Sequence, residues 1–123
     1  MSIRILRRGQ VWWVNLDPTI GSEIKKKRPC VIVSSDAASP LPIRIVVPLT
    51  EWKDAFAASP FHVRVEVDDA LAFEATGLKK GGAADVMQIR CVSESRLADY
   101  IAQMCPNKMD EIAAAIASII EYA

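Results

Sequence analysis

Histidine is almost missing from this sequence: His62 is the only one among 123 residues. A histidine pair for general acid–base work is therefore excluded, as is a histidine-rich metal site. His62 lies on the polar side of an alternating segment, which reads as a surface or cross-strand position. Cysteine is scarce as well. Cys30, Cys91 and Cys105 are odd in number, widely spaced and without a CxxC pair, so neither a disulfide framework nor a zinc site is expected. Cys30 and Cys91 fall inside apolar strand-like runs, where cysteine serves as a small hydrophobe. No apolar run approaches the roughly 20 residues that span a bilayer, so no membrane association is expected. Residues 1–10 are basic but lead into a strand-like segment rather than the apolar block of a signal peptide, which points to the cytoplasm. The motifs HExxH, GxSxG, GxGxxG and the P-loop are all absent. Net charge is absent too, with 15 basic residues balancing 15 acidic ones, so no global field drives nonspecific binding.

What is present suits one domain over residues 1–123, with enough apolar content (51%) for a real core. The charges are unevenly placed. Arg4, Arg7, Arg8, Lys25, Lys26, Lys27 and Arg28 crowd the first quarter against only Asp17 and Glu23, while Glu66, Asp68, Asp69 and Glu74 make the middle acidic. Such a basic end can present a positive face to phosphate; a solvated surface loop is the alternative reading.

Hydrophobic periodicity gives the elements. Residues 9–16 read as a strand stopped at Asp17-Pro18, followed by a polar, exposed loop over 19–27 that contains Gly21. A second strand covers 29–35, a turn 36–40 and a third strand 43–49, ending at Thr50. Residues 51–60 read as a loop or short helical turn. Over 61–67, Val63, Val65 and Val67 share one face and His62, Arg64 and Glu66 the other, as a half-buried antiparallel strand requires. Residues 84–92 read as another strand after the glycine-rich turn 77–82. The period then changes. Leu97, Ile101 and Met104 mark one helical face over 93–104, and a second helix opens at Pro106-Asn107, with Asn107 as N-cap and Asp110 approximating a capping box. Met109, Ile112, Ala113, Ile116, Ile119 and Ile120 form its apolar stripe. Short strands followed by helices indicate a mainly β fold: a small antiparallel barrel with a C-terminal helix.

Two stretches carry chemistry: Gly21-Ser-Glu-Ile-Lys-Lys-Lys-Arg28-Pro29, and Val47-Pro-Leu-Thr50 at the end of the third strand. If the second and third strands pair, the Arg28 guanidinium and the Thr50 hydroxyl meet at one rim. A planar fork of donors matches two phosphate oxygens and stabilises charge developing on them. RNA brings its own nucleophile, the 2′-hydroxyl, so such a site needs neither a side-chain nucleophile nor a metal-bound water. A structural arginine beside proline is the competing reading.

The stretch from Arg8-Gly-Gln-Val-Trp-Trp through Asp17-Pro18, Gly21-Ser-Glu23 and Arg28-Pro29 to the apolar strand resembles the MazF/PemK toxin signature. Val46-Val-Pro-Leu-Thr50 resembles its second block, and Gln88-Ile-Arg90 followed by Ser95-Arg-Leu97 its third. The resemblance implies an SH3-like barrel, a homodimer, and sequence-specific, metal-independent and cofactor-free cleavage of single-stranded RNA, leaving a cyclic phosphate and a 5′-hydroxyl. It implies Arg28 and Thr50 as catalytic residues, with Ser22, Glu23, Lys25, Lys26, Lys27 and Gln88 contacting substrate. It further implies a cognate antitoxin laid over the RNA site, and contact with DNA only indirectly, through that antitoxin. Met87 stands where many relatives carry an acid and Cys91 where a threonine often follows, so the cut sequence does not carry over. Two other readings stay open at this point. One is a non-enzymatic toxin of related fold that binds a protein target such as gyrase, as CcdB does; this chain ends in Tyr122-Ala123 but lacks the tryptophan expected there. The other is an RNA-binding relative whose catalytic residues have decayed.

Overall fold

A computed structural model describes residues 5–71 and 73–122; Arg4, counted above among the clustered cations, lies outside them. Among the described residues eight strands precede one α-helix: β1 (Gln10–Asn15), β2 (Lys27–Ile32), β3 (Ile43–Glu51), β4 (His62–Val65), β5 (Ala70–Leu71), β6 (Gly82–Asp85), β7 (Arg90–Ser93), β8 (Leu97–Met104) and α1 (Pro106–Ile119). All strand pairs are antiparallel, in the order β4-β6-β3-β2-β1-β8-β5, with β7 also on β3. The long strand β3 is the hub. Residues 43–46 pair with β7 and residues 49–51 with β6, while its other edge takes β2. One strand shared among three neighbours curls the sheet into a half-barrel. Among the described residues no helix is long and apolar enough to cross a membrane.

The central strands are buried on both faces, which is why β1 and β2 read as nearly continuous apolar runs rather than clean alternations. Val11, Val31, Val47 and Leu49 face one core together with Phe73, Met104 and the helix residues Met109 and Ile112. Trp12, Val14, Cys30, Ile32 and Val46 face the other, smaller core, closed by Leu6, Leu16, Leu97 and the loop residue Ile24.

The C-terminal third departs from the periodicity reading. Residues 93–104 form no helix: a short 3-10 turn (Glu94–Arg96) leads into strand β8, which pairs with β1. The register slips between Val11 and Trp12 and again between Trp12 and Val14. Such irregularities break a strand's two-residue alternation, so Leu97, Ile101 and Met104 fall at helix-like spacing while lying on a bulged strand. The open edge of β1 decides the matter, because its backbone groups need partners. The single strand expected over 84–92 is two strands, β6 and β7, split by a 3-10 turn (Val86–Gln88) where β3 changes partner. Cys105 rather than Asn107 occupies the N-cap position of α1, without a side-chain capping hydrogen bond, and Pro106 stands in the first turn where its missing N–H costs nothing. Of its expected stripe, Met109 and Ile112 are buried, whereas Ala113 and Ile120 are exposed. Val67 is exposed as well, since β4 ends at Val65 and a turn capped reciprocally by Glu66 and Asp69 follows. Cys91 is not a core residue; it lies exposed on β7, whereas Cys30 is fully buried. His62 is a half-buried cross-strand residue, 3.6 Å from Asp85 on β6.

Candidate active site

The loop between β1 and β2 covers the end of the smaller core, and its own backbone closes it: the Leu16 N–H donates to the Lys26 carbonyl at 2.9 Å. That closure turns the chain through left-handed conformations at Gly21 (φ 60°) and Lys26 (φ 72°), the first at no steric cost. Inside the loop the Glu23 carboxylate accepts from the Ile20 N–H at 2.7 Å, and the Glu23 N–H returns to the Ile20 carbonyl. The remaining restraints come from far along the chain. The Gln88 side-chain amide accepts from the Ile24 N–H at 3.1 Å and donates to the Ser22 carbonyl at 3.0 Å. Arg90 donates to the Leu16 carbonyl, and Arg96 to the carbonyls of Asn15 and Asp17. Both arginines lie within the third block of the family resemblance, and the sequence alone attaches no role to either. Arg90 stands alone in an apolar run and Arg96 closes a short polar turn, and what each holds is set by the fold.

Arg28 enters β2 opposite Val14, half-buried, with its Nε donating to the Lys25 carbonyl at 3.2 Å. Its two terminal nitrogens have no protein acceptor among the described residues, which leaves the forked end available. Strands β2 and β3 pair Cys30 with Pro48 and Val31 with Val47; carrying this register two residues further sets Arg28 opposite Thr50. Residues facing each other across an antiparallel pair project to the same side, so guanidinium and hydroxyl share one face. The half-buried Thr50 hydroxyl donates only to the neighbouring Glu51 carbonyl, at a long 3.3 Å. Beneath them burial pushes the Cys30 thiol up, against the opposing pull of the Arg90 and Arg28 charges, so it is a neutral packing group.

An open pocket of about 160 Å3 lies beside this pair, lined by Glu23, Ile24, Pro48, Met87, Gln88, Ile89 and Arg90. Pro48 precedes Thr50 by two residues on β3 and therefore shares its face. Glu23 and Gln88 thus line the pocket, while Ser22 is exposed on the loop and contributes its carbonyl to Gln88. The three lysines divide. Lys25 and Lys26 are exposed on the loop, but Lys27 is a strand residue next to Arg28 and projects to the opposite side. There its ammonium lies 3.7 Å from the exposed Asp99 carboxylate. Among the described residues no three His, Cys, Asp or Glu converge as metal ligands.

Changing Gln88 to alanine removes both ends of the clamp on Ser22 and Ile24. Each such bond is worth about 0.5–1.5 kcal/mol, so exchange of the Ile24 amide hydrogen should accelerate by about tenfold or more. Exchange read by mass spectrometry checks this. Unchanged protection of the 20–26 peptide would show the loop to be held without Gln88.

The sequence matches the model of the PemK-like, MazF-like toxins of type II toxin–antitoxin systems over residues 7–120. It is 36% identical over 99 residues to the endoribonuclease MazF9 of Mycobacterium tuberculosis, covering 76% of this chain and 77% of that protein. The fold is similar to that of MazF from Deinococcus radiodurans, with a TM-score of 0.76 at 19% identity over 97% of this chain and 99% of that one. It is also similar to that of a mycobacterial endoribonuclease solved in complex with its cognate antitoxin, with a TM-score of 0.74 at 22% identity over 97% and 98% of the two chains. The match runs through the arginine-bearing loop, the β3 rim and the helix alike, and on that basis the chain belongs to the PemK-like, MazF-like toxins of type II toxin–antitoxin systems.

Proposed function

We propose that this chain is a sequence-specific endoribonuclease that cuts single-stranded RNA without a metal, as the toxin of a toxin–antitoxin pair. The observation that carries the reading is the free fork of Arg28 on β2, whose pairing with β3 aims it along the face that bears Thr50, beside a pocket lined by Glu23 and Gln88. The 2′-oxygen of the substrate attacks the adjacent phosphorus, the bond to the 5′-oxygen breaks, and a 2′,3′-cyclic phosphate and a 5′-hydroxyl result. Negative charge grows on the non-bridging oxygens in that step. Arg28 meets it with two parallel N–H donors, and Thr50 donates a further hydrogen bond. Arginine keeps its proton at any working pH and is a poor base. Glu23 supplies the one carboxylate in the pocket lining and takes the proton of the 2′-hydroxyl, while the departing 5′-oxygen takes a proton from solvent water in the open pocket. Lys25 and Lys26 draw the phosphate backbone toward the loop, and Gln88 holds that loop while lining the pocket. Lys27 contributes at longer range, from the opposite face.

The same basic loop is the receptor for an acidic, disordered antitoxin segment, and contact with DNA comes only through that antitoxin. The single domain works in the cytoplasm as a homodimer. The support for pairing is an apolar surface on which Ile43, Ile45 and Met87 are exposed, beside a hollow lined by Val33, Ile89, Met109 and Ile116. The test is incubation of purified, antitoxin-free protein with a long labelled RNA in EDTA. Discrete cuts bearing cyclic-phosphate ends are expected. Intact RNA from folded protein that still arrests growth would overturn the reading in favour of a toxin acting on a protein target.

A further inference from the structure

The row on which the β2–β3 register, carried two residues further, sets Arg28 opposite Thr50 continues across the sheet. Thr50 pairs with Ala83 on β6, and Ala83 with Arg64 on β4. All four side chains therefore project to one side, and at about 4.8 Å per strand Arg64 stands roughly 10 Å from Thr50. Here an aromatic and basic cluster has formed that the site described above does not use. Trp52, two residues beyond Thr50, carries the Arg64 guanidinium over its ring at 4.6 Å from the centroid. Phe56 meets Trp52 edge-on at 5.8 Å and stacks on His62 at 3.8 Å with the rings 4° from parallel. The Ser59 hydroxyl lies 2.7 Å from the His62 Nδ1, and Glu66 fixes the Arg64 Nε at 2.6 Å.

These contacts hold the guanidinium over the indole ring but do not cover it. The Arg64 side chain is 43% exposed, and its two terminal nitrogens have no protein acceptor among the described residues. Lys53 lies 6.0 Å from the Phe56 ring centroid, and the Trp52 backbone N–H donates to the carbonyl of Gly81, which follows the exposed Lys79 and Lys80 in the chain. A planar cation backed by an aromatic ring, with further cations around it, is suited to an unpaired base and its phosphate. Bases stack on guanidinium planes as well as on aromatic rings, and only a single strand leaves a base free to do so.

We propose that the Trp52–Arg64 pair is a stacking platform for a base flanking the cut, and that it sets part of the cut-site preference. The proposal rests on the RNA-cleavage reading, and two readouts separate them. In the first, wild type, Trp52→Ala, Trp52→Phe and Arg64→Ala cut one long RNA in EDTA, with all cut ends sequenced and KM and kcat measured on a short substrate. Loss of one base stack should raise KM about tenfold for both alanine variants while kcat changes by less than about threefold. Preference at one position next to the cut should broaden, and Trp52→Phe should restore much of the loss. Arg64→Ala keeps the indole packed, so it remains informative if Trp52→Ala folds poorly. In the second readout, an uncleavable 2′-O-methyl oligonucleotide should quench wild-type tryptophan fluorescence more than that of Trp52→Phe. Wild-type cleavage with unaltered KM and site preference in the variants would sink the platform and leave the ribonuclease standing. Trp52-dependent quenching without any cleavage would keep the platform and remove the ribonuclease. If the variants lose affinity for a glutamate-rich peptide instead of for RNA, the surface docks protein and the proposal fails.

Discussion

Arg28→Ala should lower kcat/KM for RNA cleavage by about a thousandfold or more while the protein stays folded. Removing a single donor aimed at a developing oxyanion commonly costs 10²–10³, and Arg28 supplies a paired fork together with a full charge. The structural cost is small by comparison. Among the described residues its one side-chain hydrogen bond runs to the Lys25 carbonyl, and the side chain is only half-buried at the start of β2. Arg28→Lys separates charge from geometry: it keeps the former, loses the planar fork and should recover only a minor part of the rate. Thr50→Ala removes one neutral donor and should cost less than Arg28→Ala, on the order of a hundredfold. Single-turnover cleavage in EDTA, with thermal melts of each variant, measures all of this. Full activity in a folded Arg28→Ala would refute the assignment, whatever Thr50 does.

The second large effect is on stability. Phe73→Ala should destabilise the fold by about 3–5 kcal/mol, the usual cost of emptying a buried aromatic site. Phe73 is 1% exposed in the larger core, among the cluster that includes Val65, Ala84, Met104 and Ile112. Its ring tip lies 3.4 Å from where a side-chain carbon on Gly82 would stand. Gly82 belongs to β6, the strand that pairs with the Thr50 end of β3, so the void opens directly behind the site. Urea denaturation at fixed protomer concentration should show a lower midpoint with an unchanged slope. A loss below about 1 kcal/mol would mean that the core collapses around the gap, and that Phe73 does not hold β6 in place.

Phe73 lies in a stretch whose acidic neighbours gave no hint of a core position; strand β5 and the turn after it bury the ring. The same limit applies elsewhere. The strands β1, β2 and β3 were legible in the sequence because residues buried on both faces leave long apolar runs, and Asp17-Pro18 marked where the first of them stops. The loop that follows was legible from its polarity and Gly21. Arg28 and Thr50 were legible as a pair through the blocks that carry the family resemblance, and their sharing of a face depended on a register that hydrophobic pattern alone leaves open.

Other features required the folded chain. Strand β8 mimics a helix in one dimension because register slips against β1 break its alternation, and only the unpaired edge of β1 tells the two apart. Gln88, Arg90 and Arg96 became loop anchors because the sheet brings them within hydrogen-bonding reach of carbonyls more than 60 residues away. Lys27 left the site through strand alternation, and Arg64 joined the Thr50 face through two successive pairings. By itself the sequence supplied the ingredients of the proposed chemistry, an arginine and a hydroxyl with no histidine pair. Tertiary structure decided which charges share a face, because that depends on strand register and on backbone groups that must find partners across the sheet.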